Sequence, residues 1–179
     1  RYYREMMAHM RSVGVKIPIT GTNCDRTPDN YRTQLACEFL DTHIYFYDWR
    51  WTEFEKHCFN KGITDVRDCF LGTNGYITHI DRPTYISEWD MPWPNEKRGE
   101  SVLYAAAVGA FQGWSGFAIH TYSYLTKLDD IKMLGQEVSA PKVGNVPYRQ
   151  GVFSTWNDPA KFGLFYHAAL ITRRGDVRE

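Results

Sequence analysis

The sequence lacks the features that mark several large classes of protein. No apolar run approaches the roughly 18 residues that a membrane-spanning helix needs. Lysine plus arginine balance aspartate plus glutamate at 21 each, so no net charge attracts nucleic acid or an anionic membrane surface. There is no P-loop and no G-x-G-x-x-G, which argues against nucleotide use, and no G-x-S-x-G elbow of a serine hydrolase. We therefore expect neither a nucleic-acid partner nor a membrane partner.

The cysteines do not follow a metal-binding pattern. The chain has four of them, Cys24, Cys37, Cys58 and Cys69, and none belongs to a C-x-x-C pair. Zinc ligands usually come in such pairs, so we expect no metal, and nothing else in the chain predicts a cofactor. Cys58 and Cys69 share a loop-rich stretch and either form a disulfide or remain free thiols; the sequence leaves both open.

Aromatic residues, by contrast, are abundant, at 16% of the chain, and hydrophobic residues reach 43%. This content is enough for the core of one domain, and the surplus of rings favours a ligand cleft. Strand patterns alternate with helix patterns along the chain, which predicts parallel βα units. Strands are expected at about 15–24, 39–49, 84–88 and 115–124, and helices at about 1–13, 27–39, 99–114 and 158–174, with a weaker one near 65–70.

In parallel βα folds, functional side chains collect at the carboxyl ends of the strands. The four predicted strands end in polar or aromatic groups, which are Thr20 to Asn23, His43 with Tyr45 and Tyr47, Glu88 with Trp89, and His120 with Tyr122 and Tyr124. Several of these alternate, so their side chains share one face of the sheet. A purely structural sheet does not need histidine and tyrosine repeated on one face, whereas a shared cleft does.

Two segments resemble a known group of enzymes. "TYISEWDMPWP" (84–94) is similar to the seventh strand of clan A glycoside hydrolases, the retaining (β/α)8 enzymes that include the family 5 cellulases and mannanases. "THIYFY" (42–47) resembles their sixth strand, with its His-x-Tyr pair. The resemblance implies a (β/α)8 TIM barrel, of which residues 1–179 would be the C-terminal half, roughly strands five to eight with their helices.

The resemblance also implies roles for individual residues. Glu88 would be the nucleophile of a double displacement on β-linked polysaccharide or oligosaccharide, and Tyr45 would hydrogen-bond to it. His43 would contact a sugar hydroxyl or orient the acid/base. The implied substrate-binding residues are His43, Tyr45, Trp89, Tyr122 and Asn23.

The acid/base glutamate of this clan follows an asparagine at the end of strand four, a position that would lie upstream of Arg1. Glu5 does not replace it, because it falls within a predicted helix and no asparagine precedes it. The expected partners are therefore the saccharide and the missing N-terminal half of the barrel, on the same or a separate chain. The resemblance further implies a secreted or cell-envelope protein whose signal peptide would lie upstream.

Simpler interpretations stay open beside these roles. Glu88 can be a solvated carboxylate at the end of a strand, and His43 a hydrogen-bonded structural histidine. Trp93, flanked by two prolines, fits loop packing as well as a ligand platform. The alternative function is a carbohydrate-binding or catalytically inactive relative that keeps the aromatic cleft without the chemistry.

Overall fold

A computed structural model of the protein describes residues 1–23, 27–46, 49–51, 56–58, 60–66, 78–93, 95–122, 153–155 and 158–178. The helices are α1 (Tyr2–Ser12), α2 (Pro28–Gln34), α3 (Glu100–Phe111), α4 (Pro159–Phe162) and α5 (Phe165–Arg174), with a 3-10 turn at Ile63–Asp65. The strands are β1 (Leu40–Tyr45), β2 (Trp49–Trp51), β3 (Lys56–Cys58), β4 (Thr84–Asp90) and β5 (Gly116–Ile119). None of these helices has the length and apolarity that crossing a bilayer requires.

In the part of the chain that the structure describes, the main sheet has three strands in the order β1, β4, β5, and both pairings are parallel. Strand β4 is therefore central, with hydrogen-bonded neighbours on each side. A separate antiparallel pair joins β2 to β3, which the sequence pattern did not predict. Strand β4 carries Glu88, so this residue lies on the middle strand of the sheet.

The predicted barrel is wrong for the part of the chain that the structure describes. Its parallel sheet is open, with β1 at one edge and β5 at the other, and no set of four strands with the helices of a half-barrel is present in it. The prediction came from the order of strands and helices, which barrels and open sheets have in common. Closure depends on which edge strands pair, and a linear pattern does not encode that pairing.

The first predicted strand does not form. Residues 15–23 run between α1 and α2 without joining the sheet. Pro18 lies in the middle of this run, and a proline cannot donate the N–H that a strand ladder needs. Glu38 instead binds the run locally, because its Oε2 accepts the Ile19 N–H at 2.7 Å. Only three of the four predicted parallel strands are therefore seen.

The helix signals were more reliable. The Thr27 side chain accepts the Asn30 N–H and caps α2, with Pro28 at the first helical position. Asp158 caps α4 in the same way. Gly175 ends α5 in the left-handed conformation, with φ 66°, as helix C-termini often do. The last helix was predicted as one element, whereas the structure interrupts it at residues 163 and 164.

The hydrophobic core lies between one face of the sheet and helices α3 and α5. The buried residues of this layer include Ile44, Ile86, Trp89, Met91, Val102, Ala106 and Ala168. Helix α3 is rich in alanine, and its backbone comes closest to that of α5. Helix α1 contributes no buried residue, although its methionines follow a helical spacing.

Two charged pairs hold the segment that begins at Asp158 against the loop after β4. Lys161 Nζ lies 2.8 Å from Asp90 Oδ1, and neither side chain is exposed. Arg98 contacts Asp158 through two nitrogens, and the Nη2 to Oδ1 distance is 3.1 Å. Burial raises the pKa of Asp90 to about 6, and the attraction of Lys161 acts against that rise.

Candidate functional site

Glu88 lies near the carboxyl end of the central strand, with its side chain one-third exposed, at 33%. The Tyr45 hydroxyl on the neighbouring strand donates a hydrogen bond to Glu88 Oε2. The contact forms because β1 and β4 are parallel and His43 is the residue directly opposite Glu88. The predicted hydrogen bond between Tyr45 and Glu88 is therefore confirmed.

Two histidines flank the same carboxylate. His43 Nδ1 lies 3.3 Å from Glu88 Oε2, and His120 Nδ1 lies 4.0 Å from Oε1. Oε2 thus carries the close contacts, whereas Oε1 has no hydrogen bond within the described ranges. An imidazolium at either position would stabilise the negative charge of the carboxylate.

Tyr45 is held in place by other rings. Its ring meets His43 and His120 edge-on, at centroid distances of 6.4 and 6.3 Å. Phe153 packs against it at 5.5 Å and against His120 at 5.3 Å. Edge-to-face packing of this kind restricts side-chain rotation, so the rings hold the Tyr45 hydroxyl toward Glu88.

The position of Trp89 contradicts its predicted role in substrate binding. Its side chain is buried, with an exposed fraction of 3%, and it packs in the core against Phe117 at 6.3 Å. Neighbouring residues of a strand point to opposite faces, so Glu88 and Trp89 cannot both line one cleft. Trp89 Nε1 is buried and has no hydrogen-bond partner among the described residues.

The other predicted binding residues lie further from the carboxylate. Tyr122 is 62% exposed, and its ring packs against Phe162 at 6.2 Å. Asn23 Nδ2 lies 3.4 Å from Ser87 Oγ, which places it beside the residue before Glu88. Trp93 is partly buried in the loop after β4. The structure therefore brings His43, Tyr45 and Glu88 together. Of the other predicted binding residues, Asn23 lies beside Ser87, Tyr122 is exposed, and Trp89 is buried in the core.

Two residues of this cluster were not predicted as site residues. His120 follows β5, and the rule that places functional groups at strand ends pointed to it. Phe153 comes from a segment with no strand or helix signal, so no sequence pattern indicated it.

Whether Cys58 and Cys69 form a disulfide or stay free thiols, which the sequence left open, lies outside the described residues. Cys37 is a buried free thiol, and burial raises its pKa.

A groove of about 550 Å³ opens at the amino ends of the strands, away from Glu88. It is lined by Arg11, Lys16, Pro18, Glu38, Phe39, Pro83, Tyr85 and Ser115. Arg11 and Glu38 form an ion pair with each other there. Among the described residues its lining includes no histidine, so it lacks the combination of groups found around Glu88.

No cluster of three or more histidine, cysteine, aspartate or glutamate side chains that could hold a metal ion occurs among the described residues. Comparison of the chain with protein families, with curated proteins and with solved structures found no match. The geometry around Glu88 is therefore the basis for assigning a function.

Proposed function

We propose that this chain carries the nucleophile of a retaining glycoside hydrolase that acts on β-linked polysaccharide or oligosaccharide, and that the nucleophile is Glu88. One observation carries the proposal: a partly exposed carboxylate at a strand end meets the Tyr45 hydroxyl and two imidazoles at once. A solvated surface carboxylate needs no such convergence. The resemblance of residues 42–47 and 84–94 to clan A strands adds the reaction class.

The contacts favour one oxygen for the attack. Oε2 accepts the hydrogen bond from Tyr45, whereas among the described residues Oε1 has only His120 nearby, at 4.0 Å. In the proposed first step, Oε1 bonds to the anomeric carbon while the bond to the leaving oxygen breaks and an acid protonates that oxygen. In the second step, a base takes a proton from water, and the water oxygen displaces Glu88 from the sugar.

The mechanism requires a second carboxyl group about 5–5.5 Å from the nucleophile. The groups described around Glu88 are a tyrosine and two histidines, so we propose that the acid/base glutamate lies outside the described residues, in the same polypeptide or in a partner chain. His43 Nε2 supports this assignment, because it is buried and has no partner among the described residues. Buried polar atoms are rarely left unpaired, and a carboxyl group would satisfy this one.

Sugar binding is assigned to exposed rings. Tyr122 and Phe162 form an aromatic pair, 62% and 50% exposed, just beyond the end of β5. The apolar face of a pyranose packs well on such rings. Asn23, beside Ser87, is proposed to contact a sugar hydroxyl.

A trapping experiment tests the nucleophile without requiring the acid/base group. The probes are 2,4-dinitrophenyl 2-deoxy-2-fluoro-β-glycosides of glucose and mannose, whose leaving group departs without protonation. We expect the peptide that contains residues 84–94 to gain the mass of one fluoroglycosyl group, attached to Glu88. Glu88→Gln should abolish the label, and Glu96→Gln, a change at an exposed glutamate of the following loop, should keep it.

Turnover of an activated β-glycoside should fall in Glu88→Gln by about four orders of magnitude or more. A label on another carboxylate, or unchanged labelling of the Glu88→Gln variant, would contradict the assignment. Oligosaccharide binding without any label or hydrolysis would instead favour the alternative, a carbohydrate-binding relative without chemistry.

A further inference from the structure

Strand β4 contains one residue more than the stretches of β1 and β5 that pair with it. Thr42 of β1 pairs with Ile86, and the next residue, His43, pairs with Glu88. Ser87 therefore has no partner residue in β1, and the pairing of β4 with β5 shifts over the same part of the strand. An extra residue on one strand is a β-bulge, and bulges are known to redirect side chains.

The bulge decides which face of the sheet Glu88 occupies. Side chains alternate along a regular strand, so without the extra residue Glu88 would share the face of Ile86, which is fully buried in the core. With the bulge, Glu88 shares the face of Tyr45 and contacts its hydroxyl. Trp89 takes the core position instead.

Asp41 satisfies the backbone group that the bulge leaves out of the ladder. Its Oδ1 accepts the Ser87 N–H at 3.0 Å, and the residue is only 8% exposed. Its own N–H donates to Gln34 Oε1 at 2.9 Å. Asp41 is therefore tied to α2 on one side and to the bulge on the other.

We propose that Asp41 is a positioning residue: its carboxylate holds the bulge at Ser87, and the bulge holds Glu88 on the face of Tyr45. The functional part of this inference rests on the proposed role of Glu88 as nucleophile. Burial raises the pKa of Asp41 above its ordinary value. The hydrogen bonds from Ser87 and the charge interaction with His43 act against that rise. A carboxylate at a buried strand position is unfavourable unless it is hydrogen-bonded, and Ser87 supplies that bond.

Two variants of the full chain separate this role from a general effect on folding. Asp41→Ala removes the acceptor, whereas Asp41→Asn keeps an oxygen at the same position. For both we would measure hydrogen exchange of the Ser87 amide by NMR, the distance from Tyr45 Oη to Glu88 in a crystal structure, and the rate of labelling by the fluoroglycosides. If Asp41→Ala does not fold, Asp41→Thr replaces it, since its hydroxyl is one bond shorter than the carboxylate and threonine suits a strand.

In the variant without the acceptor, we expect exchange of the Ser87 amide to accelerate at least tenfold and the Glu88 carboxylate to lose its contact with Tyr45. Labelling should slow about a hundredfold, because small misplacements of reacting groups cause rate losses of this size. Asp41→Asn should stay within about threefold of the parent protein in exchange and labelling. The inference is overturned if Asp41→Ala or Asp41→Thr keeps both slow Ser87 exchange and the Tyr45 contact, or if Asp41→Asn loses as much as Asp41→Ala.

The two proposals fail in different ways. If the parent protein is not labelled at all, the proposed function fails, but Ser87 exchange and the position of Glu88 still decide the role of Asp41. If labelling slows in Asp41→Ala while Ser87 exchange and the Tyr45 contact are unchanged, the positioning role fails and the nucleophile assignment stands.

Discussion

The Tyr45 hydroxyl donates a hydrogen bond to Glu88 Oε2, although the two residues are 43 positions apart in the sequence. Parallel pairing of β1 with β4 brings them together, and a bulge at Ser87 turns the carboxylate toward the ring. The bond restricts the rotamer of Glu88 and occupies Oε2 rather than Oε1. This relationship suggests the most direct test of how the site works.

Tyr45→Phe removes the donor but keeps the ring packed against Phe153 and the histidines. We expect kcat for an activated β-glycoside to fall about 10- to 100-fold, because the proposed nucleophile, Glu88, loses its orientation. Stability should change by about 1 kcal/mol or less, as for one hydrogen bond to a part-exposed group. Tyr166→Phe, at an exposed tyrosine of α5, is the matched control. Equal rates in both variants would remove Tyr45 from the mechanism.

The aromatic pair of Tyr122 and Phe162 should affect the binding of long substrates rather than the chemistry. Tyr122→Ala is expected to raise KM for an oligosaccharide about three- to tenfold, the loss of roughly one aromatic contact. KM for a small aryl glycoside should change little, because that substrate does not reach beyond the cleft. Steady-state kinetics with both substrates test this, with Tyr2→Ala on α1 as the exposed control. A fall in kcat with no change in either KM would contradict a binding role.

The buried pair of Lys161 and Asp90 predicts a large effect on stability. Lys161→Met leaves the Asp90 carboxylate buried without its cation, which should lower the free energy of unfolding by about 3 kcal/mol or more. Replacing both residues, as in Asp90→Leu with Lys161→Met, should recover most of that loss. Chemical denaturation measures both, and Lys97→Met, at an exposed lysine, should stay within about 0.5 kcal/mol of the parent. A single variant as stable as that control would refute the prediction.

Asp90 should titrate unusually high for an aspartate. Its pKa is raised to about 6 because burial outweighs the attraction of Lys161. The pKa of an aspartate in the unfolded chain is about 3.9. Between these values the folded protein binds the extra proton, so the contribution of Asp90 to the free energy of unfolding falls as pH rises from about 4 to 6. Carbon-13 NMR of the Asp90 carboxyl measures the midpoint. A midpoint below 4 would mean that the ion pair dominates over burial.

Much of the local structure was predictable because its causes are local. The Thr27 cap with Pro28, the Asp158 cap and the glycine at 175 mark helix ends through contacts within a few residues. Strands β1, β4 and β5 were predicted from β-branched and aromatic composition, for the same reason. The convergence of His43, Tyr45 and Glu88 followed from one general rule, that parallel strands place their carboxyl ends together.

The tertiary structure alone decided the features that depend on pairing across the chain. Period-two alternation puts Glu88 and Trp89 on opposite faces, but only the bulge at Ser87 decides that Trp89, and not Glu88, faces the core. Lys161 and Asp90 are 71 positions apart in the sequence, and no sequence pattern predicts their contact. The closed barrel was wrongly predicted for the same reason, because the sequence pattern of a strand does not indicate which strands pair with it. The sequence alone therefore indicates which residue types belong to the candidate site. The face of the sheet that each side chain occupies depends on the strand register, which is a property of paired strands.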